Sequence, residues 1–509
     1  MILPVILDYN LLSTDKLDGL WIFYKLLSFA QINDYCIIGR EIYFENPELY
    51  KDTWHLNEKT KEMYEYPNPN IQYLQNQRKY CISSKIEEKL EKENIKWDTL
   101  LKESCDFLEK EINKQIDKIE KDKGKKVAII LSWYPFYGLE KICKKRKIKL
   151  VKMEFTSIRK EWYSYTLGTI SLTSKYKAKK EHEKYKEFDI DERMILSREE
   201  LIILFSYKNH IKENLTLLKS TPQYELGYAL GLDNDPYEIA FCKKQKDNII
   251  FGICENYSTY ETIFRQHPQS KSKIREHLNI DNSLFARQFI CKCDKIVCNV
   301  SNIEYESMFF GRKVSSLNKE FLTSFGQQYN FNLLNDKVSS LRKLNFITFG
   351  IYTPFKLMFD KDYIHQIANG FNDINYTYML HINKIFSDFK LDIKYFINLN
   401  RIEKKKYLLK KIHGFSDIEI EDILKITYNN LEIESLKKNL NKINRLNQKI
   451  NEEKKILSKK YNETINICKN QKQEILNLQN ELSNIYNSKG WKILKKIRQF
   501  KNKLKGEDK

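Results

Sequence analysis

Short apolar runs bounded by polar residues recur over the first two thirds of the chain, with amphipathic stretches between them. Residues 2–7 (ILPVIL) read as a strand, and residues 17–30 repeat Leu, Trp, Ile and Phe at the threes and fours of a helix. Segment 80–120 is charged and helical in pattern. After the charge run at 121–126, residues 127–133 (VAIILSW) predict a buried strand, 138–146 an amphipathic helix and 148–155 (IKLVKMEF) a second strand. That order predicts a βαβ unit of a parallel sheet. A break rich in Lys, Glu and His at 176–185 and a polar helical stretch to about 219 lead into a second half of the same kind. There 224–232 (YELGYALGL), 248–254 (NIIFGIC), 262–266 (TIFRQ) and 294–300 (DKIVCNV) predict strands, and 304–311 predicts a helix leading into Lys313-Val314. The fold class is therefore α/β, with two Rossmann-like domains facing a cleft, since open sheets of this kind bind ligands at the carboxyl ends of their strands.

From residue 431 the period changes to seven. With Ile433 as an a position, 12 of the 16 a and d positions from 433 to 485 are apolar in one register, which predicts a coiled coil. Asn447 and Lys454 are polar a positions of the kind that fix register. No second long heptad run is present to pair with this one, so self-association into a homo-oligomer through 433–485 is expected. Beyond Ser488-Lys489-Gly490, residues 491–505 (WKILKKIRQFKNKLK) put Trp491, Leu494, Ile497, Phe500 and Leu504 near one helical face and seven Lys or Arg around the rest. Such a helix suits an anionic membrane surface. The expected organisation is 1–175 and 176–343 as the two α/β domains, 344–395 as a closing helical segment, 396–430 as a helical linker, 431–487 as the coiled coil and 488–509 as the basic tail.

Composition sharpens this picture in two places. At 509 residues the chain has room for about three domains, and 41% apolar residues with only 15 Gly and 9 Pro exclude disordered and collagen-like classes. The formal charge is +20, but residues 401–509 hold 27 Lys and Arg against 14 Asp and Glu, so +13 of the excess belongs to the tail. Nucleic acid is accordingly not an expected partner, because no stacking platform or recognised binding motif accompanies the charge. The ten Cys are scattered and read as reduced thiols. Cys291, Cys293 and Cys298 match no usual zinc spacing, so no metal is expected. The opening residues lack a basic leader, and no apolar run approaches the roughly 18 residues needed to span a bilayer. The expected location is the cytoplasm, peripheral on the inner face of the cytoplasmic membrane.

Phosphate-loop, dinucleotide, zinc-protease and serine-hydrolase signatures are all absent. Candidate chemistry lies instead in four clusters at predicted strand ends. Glu154 and Arg159 follow 148–155 and read either as a cleft pair or as a surface ion pair. Asp233-Asn234-Asp235 closes 224–232 and reads equally as turn chemistry. Arg265 and His267 end the third cluster and suit a phosphate or carboxylate. Ser301 and Asn302 open a helix that contains Glu306, offering a hydroxyl and amides to an anion.

The order of these clusters resembles the retaining Kdo transferases of bacterial capsule and lipopolysaccharide assembly, glycosyltransferase family 99 in particular. It runs Glu-x4-Arg, an acidic strand end, Arg-x-His-Pro, then Ser-x4-Glu-x4-Gly-x-x-Val. The segment 344–386 is similar to the closing segment of such enzymes, and the resemblance spans roughly 1–390. It implies a GT-B fold, CMP-Kdo as donor substrate without a separate cofactor, and a lipid-linked glycan as acceptor. By position, Asp235 would be the nucleophile that forms a glycosyl-enzyme and Glu154 an acid/base or acceptor-orienting carboxylate. Arg159 would support Glu154 or the sugar carboxylate. Arg265, His267 and Ser301, with Asn302 beside them, would hold the CMP phosphate and donor carboxylate, and Glu306 the nucleotide ribose or its neighbouring loop. Gly231 stands where the family has Gln, so Asp233 and Asp235 both fit the nucleophile position. Two other readings stay open: a GT-B transferase of another nucleotide sugar, and a non-catalytic coiled-coil scaffold whose α/β part binds a ligand.

Overall fold

The computed structural model describes residues 1–8, 17, 19–50, 53, 56–172, 177–232, 239, 246–267, 270, 278–299, 301–317, 338–428 and 431–504. Within Met1–Leu431, two α/β sheets are built one after the other along the chain. The first contains β1 (Ile2–Ile6), β2 (Ile38–Gly39), β3 (Ile129–Ser132), β4 (Lys149–Phe155) and β5 (Leu167–Leu172), joined late in the chain by β10 (Thr353–Pro354). Its order is β10-β5-β4-β3-β1-β2, with β2, β1, β3 and β4 parallel and β5 and β10 antiparallel. The second contains β6 (Tyr224–Ala229), β7 (Thr262–Arg265), β8 (Cys293–Cys298) and β9 (Lys313–Ser316) in the order β7-β6-β8-β9, all parallel. The α/β class expected from the alternating runs is thus the one observed.

Burial explains why the parallel strands read as unbroken apolar runs. All five residues of β1 are buried, because helices cover both faces of a parallel sheet. The helix Asp106–Lys123 turns Leu108, Ile112, Ile116 and Ile119 to the same core at spacings of four and three. It carries Asp106 in its first turn and Lys121 and Lys123 in its last, as the helix dipole favours. Gly124 ends it in the left-handed region (φ 61°) before the chain enters β3.

Residues 248–254, expected as a strand, belong instead to the helix Lys246–Asn256. Ile249 and Ile253, four apart, are buried while Phe251 between them is exposed, a helical rather than alternating pattern that a seven-residue apolar run does not reveal by itself. The segment 344–386 contributes to both cores: Leu344, Phe346 and Phe349 pack with the second, Phe355, Met358 and Tyr363 with the first. It passes through a π-helical turn, Phe346–Ile351, before β10 joins β5.

Glu432–Lys509 forms the other compact unit. It is built from the helix Leu431–Asn487, of 57 residues, whose first residue closes the preceding unit, and the helix Lys489–Leu504. At 1.5 Å per residue the first is roughly 85 Å long. The heptad residues Ile443, Ile450, Leu457, Leu478 and Ile485 are all exposed along it. Among the described residues no helix is long and apolar enough to cross a membrane.

Candidate functional site

The strands of the second sheet end level with one another, Ala229 of β6 beside both Arg265 of β7 and Cys298 of β8. Arg265 with His267, and Ser301 with Asn302, follow the sheet at this edge. Arg265, buried, donates from Nη1 to Asp281 Oδ2 at 2.5 Å and to the Ser283 carbonyl at 2.9 Å. Lys292 Nζ donates to the other Asp281 oxygen at 2.8 Å. Burial pushes the Asp281 carboxyl up, but hydrogen bonds from Lys292, Ser283 and Arg265 outweigh it and hold the group below its ordinary range. Arg265 is therefore fixed as part of a buried charge network. His267, two residues on, is half-buried, and its carbonyl accepts from the Ser270 amide at 2.9 Å.

Ser301 and Asn302 follow β8 and open the helix Ile303–Phe309. The Ser301 hydroxyl accepts from the Ile303 amide at 3.3 Å, while the Asn302 side chain makes no capping bond. One turn in, half-buried Glu306 accepts a hydrogen bond at 2.7 Å from the hydroxyl of Tyr163. Burial pushes the Glu306 carboxyl up; the Tyr163 hydroxyl and the positive charges of Arg287, Arg159 and Arg265 counter this without reversing it. Tyr163 and Arg159 come from the segment between β4 and β5 of the first sheet, whereas Glu306, Arg265 and Arg287 come from the second. The two halves thus meet at the Tyr163–Glu306 hydrogen bond, with the charges of Arg159, Arg265 and Arg287 within electrostatic reach of the carboxyl.

Of the predicted residues, Arg159 and Arg265 are each brought within electrostatic reach of Glu306. Glu154 and Arg159 do not pair: the Glu154 carboxylate, just over half exposed, lies 3.2 Å from Lys152 Nζ on the same face of β4, and Arg159 Nε lies 2.9 Å from Glu161. Asp233, Asn234 and Asp235 lie outside the described residues. The chain reaches them from β6 through Gly231 and Leu232, whose carbonyls accept from Lys246 Nζ at 2.9 and 2.7 Å.

Sequence reasoning missed Tyr163 and Arg287. Tyr163 stands 143 residues from Glu306, with no local pattern to mark it. Arg287 sits on the helix Ala286–Lys292, legible only as a short helix before β8. It also missed a buried ionic clamp in the first sheet. Asp8, two residues past β1 and fully buried, accepts from the Gly19 amide at 3.1 Å, from Arg40 Nη1 at 3.1 Å and from the Tyr43 hydroxyl. Arg40, just past β2, forks its Nε and Nη2 onto Glu87 at 2.9 and 3.0 Å. Cys291 is buried, which pushes its thiol up to about 11 and keeps it protonated at neutral pH. Among the described residues no group of three or more His, Cys, Asp or Glu is placed to hold a metal ion.

No curated protein matches this chain. Solved structures similar to it include the β-Kdo 2,7 transferase of KpsC from Thermosulfurimonas dismutans, at 15% identity and a TM-score of 0.32 over 45% of this chain and 78% of that one. The β-Kdo 2,4 transferase of the same protein is similar at 11% identity and a TM-score of 0.30, over 46% of this chain and 86% of that one. A UDP-GlcNAc 2-epimerase from Methanocaldococcus jannaschii is similar at 11% identity and a TM-score of 0.24, over 68% and 98% of the two chains. Residues 13–170, which run from the segment after β1 into β5, match the Glycosyltransferase 99 family N-terminal domain; of the four ordered clusters this span contains Glu154 and Arg159.

Proposed function

We propose that this protein is a retaining glycosyltransferase of bacterial surface polysaccharide assembly that moves Kdo from CMP-Kdo to a lipid-linked glycan. The observation that carries the reading is the meeting of Arg159, Tyr163, Arg265 and Glu306 where both sheets contribute, in a chain whose residues 13–170 match a glycosyltransferase family domain. The carboxylate of Asp233 or Asp235 attacks the anomeric carbon, the bond to the nucleotide phosphate breaks, and its electron pair leaves with CMP. An acceptor hydroxyl then displaces the carboxylate, giving up its proton to a base such as Glu154, and net configuration is retained. Cationic groups near the leaving phosphate stabilise the charge that develops there. The exposed heptad face of Leu431–Asn487 supports self-association. The helix Lys489–Leu504, with Trp491, Leu494 and Ile497 exposed among its lysines, supports attachment to the anionic inner face of the cytoplasmic membrane.

Transfer from CMP-Kdo by Asp233→Asn and Asp235→Asn separates the two nucleophile candidates. One variant is expected to lose activity by about three orders of magnitude or more while the other keeps most of it. Full activity in both variants overturns the retaining mechanism. Binding of UDP or GDP in preference to CMP overturns the donor.

A further inference from the structure

The arginine best placed to meet an anion is not the one the sequence singles out. Arg265 is spent on Asp281 and the Ser283 carbonyl. Arg287 is only 3% exposed, and among the described residues its Nε and Nη2 make no hydrogen bond. Its guanidinium carbon lies 4.3 Å from the ring centroid of Phe285, a stacking contact that orients the plane without using any N–H donor. Phe285 is in turn held edge-on by Trp162 at 5.8 Å and by His210 at 6.0 Å.

The nearest carboxylate does not use the idle donors. Glu213 Oε2 stands 3.7 Å from Arg287 Nη2, beyond hydrogen-bond reach, and both Glu213 oxygens are engaged, Oε2 with His210 Nδ1 at 3.2 Å and Oε1 with Gln288 Nε2 at 3.1 Å. Glu306 feels the charge of Arg287 but takes its hydrogen bond from Tyr163. Buried guanidinium N–H groups left unpaired are costly, so an acceptor from outside the chain gains the full value of pairing them.

We propose that Arg287 is the receptor for an oxyanion of the donor, phosphate or sugar carboxylate, and makes the charge-assisted pair that Arg265 is too committed to make. The assignment rests on the nucleotide-sugar reading but needs only an anionic donor, not CMP-Kdo in particular. A guanidinium stacked over an aromatic ring with two idle donors suits the paired oxygens of either group.

The test is nucleotide binding to the full chain by calorimetry and thermal shift, for wild type, Arg287→Met and Arg287→Lys. The probes are CMP, cytidine, UDP, uridine, inorganic phosphate and free Kdo. Wild type is expected to prefer CMP to cytidine by about tenfold or more, and Arg287→Met to erase that preference while binding cytidine as before. Arg287→Lys, which keeps the charge but not the fork, is expected to retain part of it; it decides the matter if the Met variant does not fold. Loss of the phosphate shift alone assigns Arg287 to the phosphate, and loss of the Kdo shift alone to the carboxylate. If UDP binds in place of CMP and its advantage over uridine vanishes in Arg287→Met, the donor reading falls and the receptor stands. A folded variant with an undiminished preference overturns the receptor, as does a wild type that none of these anions stabilises.

Discussion

Replacing Arg40 with Met removes the centre of the Asp8–Arg40–Glu87 clamp while keeping an unbranched apolar stem in its place. The Asp8 and Arg40 side chains are 0% and 1% exposed, and that of Glu87 is 16% exposed. The two carboxylates therefore respond differently. Glu87 can swing to water, so its share of the loss is about 1 kcal/mol. Asp8 cannot: it stays fully buried as a charge while losing the Arg40 Nη1 that faces it at 3.1 Å. Breaking a buried pair from one side costs about 3–5 kcal/mol for that reason. Urea unfolding followed by tryptophan fluorescence reads this unit almost alone, because five of the six tryptophans precede residue 431. The expected order is Arg40→Met well below Glu87→Gln, with Asp8→Asn restoring about 2 kcal/mol when added to Arg40→Met, since it removes the stranded charge. An Arg40→Met loss under about 1 kcal/mol, or no recovery in the double variant, refutes the argument that desolvation of Asp8 dominates.

Three further outcomes follow from other parts of the chain. Burial raises the Glu306 carboxyl, so the folded state holds a proton that the unfolded state releases, and stability falls as pH rises from the ordinary carboxylate range through the raised one. Glu306→Gln is expected to gain on wild type between pH 4 and pH 7 in urea midpoints, and a pH-independent gap would contradict the shift. His381 is buried, lies 2.8 Å from both the Phe349 carbonyl and the Tyr363 hydroxyl, and is pushed down to about 4 by burial. The unfolded state takes up the proton first, so stability is lost as pH falls from 6.5 towards 4, by roughly 3 kcal/mol; His381→Gln should flatten that acid limb. Truncation after residue 431 should leave Met1–Leu431 folded and able to bind nucleotide, since it is one compact unit. The same truncation should abolish self-association in light scattering and flotation with anionic vesicles, and an undiminished flotation would remove the tail from its proposed role.

What the sequence made legible, and what it hid, divides along the range over which the physics acts. Strands covered on both faces must be apolar at successive positions, so β1 and β3, buried at every position, announce themselves within a short run. The helix Lys246–Asn256 fails the same reading because its core face needs only Ile249 and Ile253, and a short apolar run satisfies strand and helix alike. β5 escapes notice because its pairing depends on contacts from elsewhere: a Cβ on Gly168 would stand 2.2 Å from Met358 Sδ and 2.8 Å from the Glu154 carbonyl. Only glycine admits that approach, yet Met358 lies 190 residues further along the chain. The site repeats this division more sharply. Arg265 and Glu306 are marked by neighbours in sequence, and both turn out to be engaged, Arg265 by Asp281 and Glu306 by Tyr163. Arg287 has no marking neighbour, and its two idle donors become visible only when the partners it lacks are counted. A local motif reports which residue types gather at a strand end. Which of them still has a donor to offer is decided by partners distant in sequence, and that residual capacity is what a substrate meets.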